Sequence, residues 1–168
     1  EMARPVAAFA REPLARERGY GPGHFSFNAA AGRCPACGGS GFEHVEMQFL
    51  SDVYLRCPDC DGRRYRADIL QVVLLAPGSH GGAPRSIAQV LDLTVSEALE
   101  FFAGAPEVMR ALAPLSAVGL GYLRLGQPVP TLSGGEAQRL KLAGRLAQPA
   151  AARGGALFIF DEPTTGLH

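Results

Sequence analysis

The feature that most constrains this chain lies in its last third. Leu132-Ser133-Gly134-Gly135-Glu136-Ala137-Gln138-Arg139 is followed by Ala156-Leu157-Phe158-Ile159-Phe160-Asp161-Glu162-Pro163. In the first stretch Ser133 has the character of a helix N-cap, and Glu136 three residues on completes a capping box. Gly134 and Gly135 keep side chains out of the first turn, so an anion can reach the free backbone N–H groups there. Leu140, Ala143 and Ala147 then share one helical face, with Arg139 and Lys141 off it. The second stretch, Leu157–Phe160, is a run of large apolar residues, as in a strand buried on both faces of a parallel sheet. Asp161 at its end can hold Mg²⁺, usually through water. Glu162 can orient or deprotonate an attacking water. Either stretch alone also reads as ordinary structure, a capped surface helix or a core strand with its turn.

The four cysteines form two pairs, Cys34-Pro-Ala-Cys37 and Cys57-Pro-Asp-Cys60, in a C-x₂-C-x₁₉-C-x₂-C pattern. That spacing suits a four-thiolate zinc site, each pair offering two sulfurs from one tight turn. Gly38, Gly39 and Gly62 let the chain fold back so that N–H groups face the thiolates. Two disulfides are the alternative, but a C-x₂-C disulfide is usually redox-active and the chain carries no signal-peptide pattern. His44 lies between the pairs, as a substitute ligand or as a solvated hairpin residue. Val45, Met47 and Phe49 alternate with Glu46 and Gln48, which predicts a half-buried strand. Ser51-Asp52 would form the turn and Val53–Arg56 the return. Such a hairpin is too small to hold itself together without metal. Arg33, Arg56, Arg63, Arg64 and Arg66 cluster around it in sequence, with Tyr54 and Tyr65 among them. Arginine and tyrosine suit phosphate contact and base stacking; the same residues also make an ordinary solvated surface.

Composition limits the remaining choices. The 168 residues are 47% hydrophobic, enough for one domain with a small insertion, and the formal net charge is zero. Any nucleic-acid affinity must therefore come from a local patch. No apolar run approaches the ~18 residues of a membrane span, so a cytoplasmic location without a membrane partner is expected. Lys141 is the only lysine among 16 basic residues. A phosphate-binding G-x₄-G-K-[ST] loop needs a lysine after a glycine, and Lys141 lies in the signature stretch instead, so this chain has no such loop.

The two motifs in this order are those of the second half of an ABC-type ATPase core, the signature and the Walker B strand. Pro163-Thr164-Thr165-Gly166-Leu167-His168, with LSGGEAQRLKLA ahead of it, resembles the UvrA family, the ATPase subunit of the UvrABC excinuclease. Phe25–Asn28, Gly32-Arg33-Cys34, Val45–Leu50, Asp92–Ala98 and Gly119–Tyr122 match that family as well. The resemblance runs from about Gly19 to His168. The Pro-Thr-Thr loop and Lys141-Leu142-Ala143 are similar to the C-terminal of the family's two ABC halves. It implies an α/β fold: a partial ABC-type ATPase domain without its P-loop part, an inserted four-cysteine zinc β-hairpin module and a helical signature region. It implies a damage-recognising, DNA-binding ATPase of nucleotide excision repair, in which ATP binding and hydrolysis control DNA engagement and partner loading. Zn²⁺, ATP and Mg²⁺ are the implied cofactors. Duplex DNA, above all damaged, the second ABC half, a second copy of the chain and a UvrB-type helicase subunit are the implied partners.

By the same resemblance, Ser133, Gly134, Gly135 and Glu136 would serve an ATP held by the other half. Asp161 and Glu162 would serve one held by this half's own P-loop. The fragment alone is expected to be inactive, and both its ends are expected to be cut from a longer chain. A UvrA-like paralogue for tolerance of DNA-binding drugs is the alternative. Another ABC ATPase, or a DnaJ-type zinc module that Cys34–Gly41 fits and the second pair breaks, leaves more of the chain unexplained. The loop from Pro77 to Pro84 is several residues longer than the family pattern.

The expected organisation is a lead-in and entry strand over 1–33, with Phe25–Asn28 as the strand, and the zinc-binding module over 34–68. A connecting strand at 69–75 and a helical signature subdomain fill 69–131; the signature helix and Walker B strand fill 132–168. Helices are expected from Ile87, after the capping box Thr94-Val95-Ser96-Glu97, and from Pro106 to about Val118.

Overall fold

The structure is a computed structural model, and it describes residues 3–45, 47, 53–77 and 83–147. Its contacts separate into two units, Glu1–Leu75 with Gly81–Gln89 and Ala76–His80 with Val90–His168. The Walker B residues, Asp161 and Glu162 included, and residues 78–82 of the loop expected from Pro77 to Pro84 lie outside the described residues.

In the first unit the lead-in is helical, as α1 (Ala3–Phe9) and α2 (Pro13–Glu17). Pro13 opens α2, where its missing N–H costs nothing. The entry strand expected at Phe25–Asn28 does not form: Pro22–Phe25 is a 3₁₀ turn, Ser26 is extended and Phe27 and Asn28 lie in a turn. Pro22 fixes a helical φ, and the Gly21 N–H donates to His24 Nδ1 at 3.1 Å, which closes the turn. The turn drives Phe25 into the core, where its ring stacks on Phe9 with centroids 5.4 Å apart. The Tyr65 hydroxyl donates to the Phe25 carbonyl at 2.9 Å, so the chain just past the second cysteine pair is pinned to the same core.

Strands β1 (Phe42–Val45) and β2 (Val53–Arg56) form an antiparallel hairpin with Phe42 opposite Arg56 and Val45 opposite Val53. It begins three residues earlier than the alternation of Val45–Phe49 suggested. It is also exposed rather than half-buried: Tyr54 is 64% exposed and Leu55 52%. Alternation specifies two faces but not a layer to cover either, and a two-stranded ribbon supplies none. The expected Ser51-Asp52 turn lies outside the described residues.

The strand expected over 69–75 is shared between α3 (Ala67–Leu70) and β3 (Val73–Leu74), which pairs with β4 (Arg85–Ser86). Short apolar runs do not distinguish the two states. Here Ile69 and Val72, three apart, are both fully buried, as a helical turn allows.

Helix α4 (Ile87–Leu91) leads into the second unit. There α5 (Val95–Phe101) is capped as expected: Thr94 Oγ1 accepts the Glu97 N–H at 3.2 Å, and Glu97 Oε2 accepts the Thr94 N–H at 2.8 Å. Helix α6 (Pro106–Ala117) starts at its proline. It ends in a Schellman motif, with Gly119 at φ 76° donating to Ser116 and Leu120 to the Leu115 carbonyl. The chain then runs antiparallel to the start of α5, through Ser96 N–H to Gly121 O and Val95 N–H to Leu123 O. Gly121 makes that approach close: a β-carbon there would stand 2.6 Å from Ser96 Oγ, so the serine side chain would have to turn away. Ala98, Phe102, Leu120 and Ala143 are buried around these elements. After a 3₁₀ turn at Val129–Thr131 comes the signature helix α7 (Gly134–Leu146).

Candidate metal centre and phosphate-facing turn

The structure brings Cys34, Cys37, Cys57 and Cys60 together with all four sulfurs within 4.8 Å of one another. Cys34 and Cys57 Sγ are 4.0 Å apart, Cys37 and Cys60 Sγ 3.7 Å, and all four are free cysteines. A disulfide needs a separation of about 2.05 Å. Four thiolates about 2.3 Å from a tetrahedral zinc stand about 3.8 Å from each other. The donor set and its spacing therefore fit one soft, tetrahedral divalent metal.

The two cysteine turns repeat one backbone. In the first, Gly38, Gly39 and Gly41 take positive φ; in the second the corresponding Asp61, Gly62 and Arg64 do. This fold-back points the Gly41 N–H at Cys37 Sγ, at 3.3 Å, and the Arg64 N–H at Cys60. The turns also exchange backbone bonds: the Cys34 N–H donates to the Arg64 carbonyl at 2.8 Å and the Cys57 N–H to the Gly41 carbonyl at 3.1 Å. Burial would raise the Cys37 thiol, but N–H groups of Gly41 and Gly39 outweigh it and bring the thiol down to about 7. Burial pushes Cys60 up to about 12, and the neighbouring thiols add to that. Sequence spacing marks the cysteines; the donor N–H of Arg64 carries no signal in it, because a left-handed arginine is unusual.

His44 is not part of the sulfur cluster. It stacks on Tyr54, centroids 5.0 Å apart, across the exposed hairpin. By the register, Phe42, His44, Tyr54 and Arg56 share one face and Glu43, Val45, Val53 and Leu55 the other.

The pairing of Gly32–Cys34 with Arg64–Arg66, in which Arg33 bridges Tyr65, brings Arg33 beside Arg64 and Arg66, while Arg56 lies on β2 and Arg63 in the second cysteine turn. Several also have work inside the protein. Arg63 Nε donates to the Cys60 carbonyl at 3.2 Å, and Arg64 lies over the Phe27 ring at 5.1 Å. Arg66 pairs with Asp68 at 3.1 Å, whereas Arg56 stands 3.9 Å from Asp61 with both side chains largely exposed. Tyr65 does not offer a stacking face: it is buried, and its hydroxyl is held by Phe25. Tyr54 does.

In the second unit the expected capping box forms. Ser133 Oγ accepts the Glu136 N–H at 3.3 Å, and Glu136 Oε2 accepts the Ser133 N–H at 2.7 Å. Ser133 and Gly134 are exposed, and no side-chain space is taken next to Gly134. Gly135 is buried and the Glu136 N–H is taken by Ser133 Oγ, so Ser133 and Gly134 are the residues that the turn exposes to an anion. Glu136 has a further partner: the Tyr122 hydroxyl donates to its Oε1 at 2.6 Å. That bond, the Ser133 N–H and the nearby Arg139 hold the Glu136 carboxyl below the usual range. Tyr122 is raised by the same bond.

A paired-cysteine hairpin module on one unit and an ABC-type signature helix on the other define the class of protein to which this chain belongs. No family model matches the chain. Individual proteins do. Over 160 residues it is 55% identical to UvrABC system protein A of Thermus thermophilus and 56% identical to that of Methanothermobacter thermautotrophicus, covering 95% of this chain and 16% of each relative. The crystal structure of UvrA2 from Deinococcus radiodurans superposes with a TM-score of 0.86 at 50% identity, covering 99% of this chain and 19% of that one. The chain matches one segment of UvrA proteins and spans 16% of the length of the relatives it matches. Among the described residues, no helix is long and apolar enough to cross a membrane.

Proposed function

We propose that the chain is part of an ABC-type ATPase that recognises DNA damage in nucleotide excision repair, where ATP binding and hydrolysis control engagement of DNA and loading of a partner. The observation that carries this reading is the capped turn at Ser133–Glu136 with its outward-facing donors, in a chain at least 50% identical to UvrA proteins over nearly all its length. In this reading Ser133, Gly134 and Gly135 meet the terminal phosphate of an ATP held by the second ABC half. Asp161 holds Mg²⁺ and Glu162 orients the water at this half's own nucleotide. Residues 34–68 form the zinc module, with the metal on Cys34, Cys37, Cys57 and Cys60. When bound, zinc supplies a structural crosslink between the two cysteine turns. The hairpin face of Phe42, His44, Tyr54 and Arg56, together with Arg33, Arg63, Arg64 and Arg66, meets duplex DNA. Its partners are a second copy of the parent chain and a UvrB-type subunit.

The test is made on the full-length parent. It hydrolyses ATP with Mg²⁺, and Glu162→Gln lets ATP bind but stops its turnover. A parent that hydrolyses no ATP, or whose turnover ignores Glu162→Gln, overturns the assignment.

A further inference from the structure

We propose that Tyr122 is a positioning residue for the phosphate-facing turn: through its bond to Glu136 it clamps the first turn of α7, so that Ser133, Gly134 and Gly135 meet the nucleotide already in place. The inference rests on the ATP-binding reading of that turn and assigns Glu136 a different part in it.

Both oxygens of Glu136 are occupied within the protein. Oε2 accepts the Ser133 N–H at 2.7 Å and Oε1 the Tyr122 hydroxyl at 2.6 Å. A loose carboxylate beside a phosphate would repel it. This one is tied back on two sides, so it acts on the shape of the turn and not on the nucleotide.

Tyr122 comes from a part of the unit anchored independently of α7. Leu120 is fully buried beside it and Leu123 nearly so. The Schellman turn at Gly119 fixes the segment to α6, and the bonds from Ser96 and Val95 fix it to α5. The capping box by itself joins residues three apart on one helix end, which is free to fray. The Tyr122 bond adds a link from the turn to the body of the unit.

The tyrosine itself is 56% exposed between two buried leucines. Packing therefore does not account for an aromatic ring there, whereas the hydroxyl does. Arg139, one turn into α7, donates to the same hydroxyl oxygen at 3.5 Å. A preformed turn avoids the cost of ordering donors when the ligand arrives.

The experiment measures Mg-ATP turnover against ATP concentration in the full-length parent. Tyr122→Phe keeps the ring and removes only the hydroxyl. It is expected to raise KM about five-fold and to change kcat by less than about two-fold, the pattern of lost binding and not of lost chemistry. Glu136→Ala raises KM at least as much. Adding Tyr122→Phe to Glu136→Ala changes nothing further, because the tyrosine acts through the glutamate. Glu136→Gln stays nearer the wild type, since its oxygen still takes the Ser133 N–H and its amide can donate to the tyrosine oxygen. Three results overturn the clamp: wild-type kinetics in Tyr122→Phe, a loss of kcat and thermal stability at unchanged KM, or additive effects in the double variant. Failure of the ATPase reading shows separately, as a wild-type parent without Glu162-dependent turnover. The clamp is then read from amide hydrogen exchange over 133–136, which quickens in Tyr122→Phe if the clamp exists and stays the same if it does not.

Discussion

At Gly39 the backbone takes φ +90°, and a β-carbon would overlap the Phe27 carbonyl oxygen. Backbone cannot step aside as a flexible side chain can. Gly39→Ala is therefore expected to cost roughly 2–4 kcal/mol, left-handed strain plus a clash. The measurements are the melting temperature and the zinc retained after dialysis; both should fall. Asp68 shows the opposite case, a residue tuned by its neighbours. Burial works against its charge, but the Tyr20 hydroxyl at 2.8 Å and the Arg66 guanidinium hold its carboxyl below the usual value. A depressed folded-state value means stability that is present above the unfolded value near 3.9 and lost as pH falls through the folded one. Asp68→Asn should thus destabilise at pH 7 by less than about 1 kcal/mol, because the pair is part-exposed. The difference from wild type should close as denaturation is repeated from pH 5 down to pH 2. A gap that persists unchanged at pH 2 would mean the loss is one of packing.

The two cysteine turns are related as elements by shared backbone geometry and mutual hydrogen bonds, not by shared sequence. Without a central metal the burial between them is slight: three buried cysteines and a fourth at the edge. Structural zinc contributes about 10–16 kcal/mol to the folding of small fingers. Chelation, or Cys57→Ser, should therefore unfold residues 34–60 while leaving the capped helices of the second unit intact. Metal analysis should find one zinc per chain before treatment; none, with two disulfides by mass, would end the assignment. The arginine cluster makes a separate test at this scale. If Arg63 and Arg64 meet phosphates, changing both to Ala in the full-length parent should weaken binding to all duplex sequences alike. The slope of log affinity against log salt should shrink by roughly 1–2 units. Unchanged zinc content would separate lost contacts from unfolding. Because Arg64 also lies over Phe27 and Arg63 Nε donates to the Cys60 carbonyl, each single variant needs the same zinc measurement. Equal affinity and slope in wild type and double variant would leave the cluster a solvated face.

For the molecule as a whole, the proposed function gives the chain parts of two nucleotide sites and completes neither. Its only lysine, Lys141, lies within the signature helix α7. A P-loop lysine is needed to hold the phosphates for transfer. The 168-residue chain by itself should therefore show no ATP turnover, while the full-length parent should. Measured turnover in the purified chain, unaffected by Glu162→Gln, would mean that the motifs have been misread.

Three features were legible in the sequence because each depends on residues close together along it. The capping boxes at Thr94 and Ser133 follow from side chains three apart, the start of α6 from Pro106, and the cysteine pairing from two C-x₂-C turns. The entry segment was misjudged as a strand because aromatic residues suit strands, and only the closed turn after Pro22 and the pocket beside Phe9 settle its form. Burial of the hairpin could not be read either, since alternation says nothing about a covering layer. The burial of Tyr65, the matching left-handed turn at Arg64 and the bond from Tyr122 to Glu136 join residues far apart in the chain. Local propensity fixes the ends of helices and the shape of a turn. Which hydroxyl reaches which carboxylate is decided by how the buried leucines and the close-packed Gly121 set one segment against another, and that is a property of the tertiary structure alone.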